Sequence, residues 1–66
     1  MHRIWSIGLN TTGSHGMGIV SARSKERAME IISEVEGFQY KDYLFLEKEY
    51  PVYTDKEFII MSFYVE

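Results

Sequence analysis

The stretch with the most chemical potential is "NTTGSHGMG" at residues 10–18. It holds three of the chain's five glycines and a histidine, His15, between two of them. Glycine-rich loops cradle phosphate when their N–H groups converge on the N-terminus of a following helix. Here the loop runs into "IVSA", which reads as a strand, and it contains no lysine and no "K[ST]" pair. It reads better as the connection of a β-hairpin, with Gly13, Gly16 or Gly18 at positive φ. His15 would need two or three further ligands to hold a metal, or a nucleophile beside it to act as a base. The other histidine, His2, belongs at the far end of the first strand. No metal site is expected.

A second candidate lies near residue 24. Helices favour acidic residues in their first turn and basic ones in their last. The segment after Ser24 reverses this, opening with Arg23, Lys25 and Arg27 and closing with Glu30, Glu34 and Glu36. Three cations beside free N–H groups suit an anion or an acidic partner, so Arg23, Ser24, Lys25 and Arg27 form a candidate binding site. The ordinary alternative is a solvated surface helix with an Arg27–Glu30 contact. Glu47 and Glu49 alternate along a strand and read as a solvated face, as do the helix acids. No spacing marks a serine, cysteine or lysine nucleophile, and no cleft for paired carboxylates is suggested. The sequence therefore reads as a non-enzyme without a cofactor.

The aromatic residues are the third candidate. One Trp, five Tyr and four Phe in 66 residues make 15% of the chain, within a hydrophobic fraction of 45%. Trp5, Tyr40, Tyr43, Tyr50 and Tyr53 would stack bases if a basic groove lay beside them. The formal net charge of −3 argues against one. Tyrosine-rich faces serve protein contacts equally well.

The elements that position these groups follow from hydrophobic period. His2–Leu9 alternates, with Arg3, Trp5, Ile7 and Leu9 on one face and His2, Ile4, Ser6 and Gly8 on the other. A second strand spans roughly Met17–Ala22, Val20 and Ala22 on one face and Met17, Ile19 and Ser21 on the other. Ser24 is a good N-cap for a helix whose Ala28, Ile31, Ile32 and Val35 fall at i, i+3, i+4 and i+7, with Gly37 suited to its C-cap. A third strand lies within Phe38–Val52 and a fourth at Phe58–Val65. "TDKE" at 54–57 suggests a hairpin between them, with Tyr53 opposite Phe58, and Val52, Tyr50 and Leu46 on the face of Ile59, Met61 and Val65. Pro51 demands a bulge or an edge position.

These elements define an α+β domain over residues 1–66, a small antiparallel sheet of about four strands with one helix on one face (β-β-α-β-β). One helix covers one sheet face, yet the fourth strand also places Phe58, Ile60 and Tyr64 on the other. A chain of this size buries only about 60% of its unfolded surface, and with no cysteine it has neither disulfide nor thiolate zinc to support the core. A homodimer associating through Phe58, Ile60 and Tyr64 is the economical expectation, with a different protein partner as the variant. No apolar run approaches the ~18 residues of a membrane span, and "MHRIWSIGLN" lacks a signal-like apolar region, so a cytoplasmic protein is expected.

Overall fold

In the computed structural model, which describes residues 1–66, the hydrophobic period is followed by the backbone. The elements are β1 (His2–Leu9), β2 (Ser14–Ala22), α1 (Lys25–Ser33), a short 3-10 turn at Lys41–Tyr43, β3 (Leu44–Thr54) and β4 (Phe58–Val65). The four strands form one antiparallel sheet, and the α+β class and β-β-α-β-β order are those expected. No helix is long and apolar enough to cross a membrane.

The strand order is β3-β1-β2-β4. This overturns the expected hairpin between the last two strands. β3 pairs with β1 and β4 with β2, so the two lie on opposite edges, and residues 55–57 cross the ends of both central strands. Tyr53 faces Arg3, and Phe58 faces Ser21. The crossing is clamped from inside. The fully buried Ser21 hydroxyl donates to the Lys56 carbonyl at 2.8 Å and pairs with the Thr54 hydroxyl at 2.6 Å. The physical gain is a central position for the best apolar pairs. Trp5 lies opposite Val20, and these two with Ile7, Ala22, Ala28 and Ile32 form the buried core. Leu44 and Leu46 of β3, and Ile59 and Phe63 of β4, pack on that core but stay half-buried.

Ser24 caps α1 as expected, its hydroxyl accepting from the Arg27 N–H at 3.1 Å. The helix stops at Ser33 with Glu34 as its cap, so Val35 lies beyond it. Gly37 does adopt positive φ (76°), but in the following loop rather than at the helix end. Ala28 and Ile32, one turn apart, carry the buried stripe.

β3 is irregular. Its register on β1 shifts twice, once around Glu47 and once around Pro51–Val52. Pro51 thus sits both in a bulge and on an edge strand, the two positions that tolerate a missing N–H. The one residue added at Glu47 reverses parity, whereas the two added at Pro51–Val52 preserve it. Leu46 faces Ile7 on the helix side, but Tyr50 faces Ile4 on the opposite side and Val52 falls in the bulge, correcting the single-face expectation for these three. Glu47 and Glu49 are likewise separated, Glu47 reaching Ser6 and Glu49 reaching Arg3.

Candidate functional site

The face of the sheet opposite α1 is uncovered except at the end where the β3–β4 crossing lies over Ser21. Its cross-strand rows read Tyr50–Ile4–Ser21–Phe58 and Lys48–Ser6–Ile19–Ile60, with Phe45 beside Gly8, Met17 opposite Ser62 and His15 opposite Tyr64. Met17, Ile60 and Tyr64 are 74%, 64% and 62% exposed, and Phe45 and Tyr50 are also exposed. Apolar area left in water forgoes roughly 25 cal/mol per Å². A contiguous patch of this kind with a polar rim is characteristic of a contact surface. The rim here is Glu47 and Lys48 at one edge and His15 with Glu66 at the other. Of the two cations borne by strands, Arg3 lies on the helix side, over the Trp5 ring at 5.1 Å, and Lys48 lies on the open face, 5.2 Å from the Tyr50 ring centre.

A Cβ at Gly8 would meet the Phe45 ring at 2.5 Å, so glycine leaves room for that ring to lie across β1. Of the three residues expected here, Ile60 and Tyr64 are exposed on this face, and Phe58 shares it but is half-buried. Phe45 and Tyr50 join them only through the β3 register, which no local pattern announces. Ile4, Met17 and Ile19 were legible as one parity of the first two strands.

The cations at the start of α1 are not gathered toward a common point. Arg27 extends across to the β3–β4 crossing, where Nε and Nη2 each donate to a Glu57 carboxylate oxygen at 2.9 Å. Its Nη1 lies 3.6 Å from Glu30 and 3.7 Å from Glu34. The fork holds the Arg27 pKa above its ordinary value and the Glu57 pKa below its own, the Arg27–Glu57 hydrogen bond being the main cause in each case. Ser24 spends its hydroxyl on the helix cap. Arg23 and Lys25 are exposed, and Lys25 lines a groove between α1 and the start of β3, with Met29, Ile32, Lys41, Leu44 and Leu46.

The "GSHG" segment is mostly strand. β2 begins at Ser14, three residues before the expected Met17, and the connection shrinks to Asn10–Gly13. Gly13 and Gly16 take positive φ, while Gly18 does not. Gly16 (φ 126°) sits where a Cβ would overlap the Ser62 carbonyl oxygen, so its glycine serves the close approach of β4. His15 is half-exposed, stacked on Tyr64 with ring centres 5.1 Å apart and its Nε2 3.3 Å from Glu66. His2 is buried at the opposite end of the sheet, opposite Thr54. No three His, Asp or Glu side chains gather as a metal-binding group.

No protein-family model, curated protein or solved structure matches the chain. The functional reading rests on its own surfaces.

Proposed function

We propose that this protein is a small, non-catalytic interaction module whose open sheet face docks on a second copy of itself. One observation carries the reading: five large apolar side chains, Met17, Phe45, Tyr50, Ile60 and Tyr64, are exposed on a single uncovered sheet face. The size of the core gives a reason for it. Only 11 of 66 residues are buried, and a core of this scale contributes about 3–5 kcal/mol net. Covering the face with its own copy adds apolar burial without a second helix.

The competing readings draw on less. An acidic ligand at Arg23, Ser24, Lys25 and Arg27 must compete with Glu57 for Arg27 and with the helix for Ser24. Single-stranded nucleic acid finds aromatic rings on the open face, but Lys48 is the one strand-borne cation there.

Sedimentation and native mass spectrometry test the proposal. The wild-type chain is expected to associate, and Ile60→Lys with Tyr64→Lys is expected to lower the subunit number while retaining the far-ultraviolet circular dichroism. A wild-type chain that stays monomeric as its concentration rises overturns it. Oligonucleotide binding that weakens steeply with salt would favour the nucleic-acid reading instead.

A further inference from the structure

β4 leaves half of its backbone groups without partners in the chain. The Glu66 N–H bonds the Gly13 carbonyl, and the Ser62 and Ile60 carbonyls lie against Gly16 and Gly18. Even-numbered residues of β4 therefore address β2. By strand alternation, the N–H and C=O groups of Ile59, Met61, Phe63 and Val65 point out from the free edge. The β2–β4 register has no shift, so this edge is regular over eight residues, and none of the eight is charged or proline. Natural edge strands normally carry such a blocking feature.

We infer that this edge pairs with β4 of a second copy about a two-fold axis, making one continuous eight-stranded sheet. Three observations select a second copy over a foreign strand. A two-fold places like residues near one another, and a strand without charge meets no repulsion in doing so. The antiparallel register centred on Met61 keeps both sheet faces aligned. It pairs Ile59 with Phe63 of the second copy, Phe58 with Tyr64, and Ile60 with Ser62. Glu57, just before the strand, is already neutralised by Arg27 and adds no repulsion at its end. Finally, the cleft beside this edge, about 300 Å³, sets Ile31, Val35, Phe58 and Ile59 beside the charged Arg27, Glu34 and Glu57, and its apolar part is surface that an added strand covers. Pairing Ile59, Met61 and Phe63 forms about six backbone hydrogen bonds between copies.

The edge is a separate surface from the open face, and pairing along it requires no contact through that face. Where both operate, the two isologous contacts close into a tetramer.

Amide hydrogen exchange on the full chain distinguishes them. Edge pairing slows exchange at Ile59, Met61 and Phe63, increasingly so as the chain is concentrated. Stacking through the open face leaves those amides fast. Met61→Pro removes an outward N–H that β2 does not use, and proline is tolerated on edge strands. This variant is expected to halve the native mass. A chain synthesised with an N-methyl group on the Met61 amide keeps the side chain and is expected to do the same, which controls for misfolding of the proline variant. Fast exchange at Ile59, Met61 and Phe63 at high concentration overturns the inference, whether the chain is then monomeric or associated by its face. So does an unchanged native mass in the N-methylated chain.

Discussion

The two edges of this sheet are built by opposite means. β3 carries Glu47, Lys48 and Glu49, a proline at position 51 and two register shifts, so its free edge is charged, bent and short of donors. β4 is uncharged and keeps one unshifted register along its length. Both strands lie on the same two-stranded centre, and each packs half-buried residues on the core, Leu44 and Leu46 from β3 and Ile59 and Phe63 from β4. The contrast teaches that edge protection here is selective. A sheet that needed only to avoid aggregation would blunt both sides. Blocking one and leaving the other regular is what a single directed contact requires.

Substitutions at the glycines facing each edge strand should break the comparison most strongly. At Gly16, next to β4, a Cβ meets the Ser62 backbone and the residue's φ is 126°. Neither can yield easily, so Gly16→Ala is expected to cost about 2–4 kcal/mol in chemical denaturation and to free the outer strand. Gly8, next to β3, meets only the Phe45 ring, the end of a movable side chain. Gly8→Ala is expected to cost about 1 kcal/mol by rotating that ring. Equal losses at the two sites would mean that β3 and β4 are held alike, and the contrast would fail.

A smaller effect sharpens the picture on the β4 side. The Arg27–Glu57 fork ties α1 to the crossing that leads into β4. Glu57 titrates below its ordinary value of 4.5 because the guanidinium favours its charged form. A depressed carboxylate pKa stabilises the fold above the unfolded value, and that stability is lost as pH falls through the folded value. The melting temperature of the wild type should therefore exceed that of Glu57→Gln at neutral pH, and the gap should close as the solution is acidified below the ordinary carboxylate range. Both groups are solvent-exposed, so the gap is expected to be modest and to shrink with added salt. A gap that persists in acid would mean that Glu57 acts through packing rather than charge.

Much of this was legible from residues close together in the chain. Ser24 announced the start of α1, Ala28 and Ile32 its buried stripe, and alternation in β1, β2 and β4 assigned each residue to a face. The candidate open face was readable in outline from Phe58, Ile60 and Tyr64. Phe45 and Tyr50 were not, because the shift at Glu47 reverses parity without a sequence mark, while Pro51 marks only the second shift, which preserves it. The "GSHGMG" glycines read as a loop because glycine is the usual turn residue. In the fold Gly16 and Gly18 instead make way for β4, a strand more than forty residues later in the chain.

The sequence by itself determined that four strands and one helix form in this order and which sides of β1, β2, α1 and β4 are apolar, since these follow from local period and capping. Only the tertiary structure decided where the last two strands go. "TDKE" offers turn chemistry for a hairpin, and local preference ends there. The chain instead places β3 and β4 on opposite edges, so that Trp5, Ile7, Val20 and Ala22 lie at the centre of the sheet in one core with Ala28 and Ile32. Strand order is a choice among distant partners, decided by which arrangement buries the most apolar surface, and no stretch of neighbouring residues carries that information.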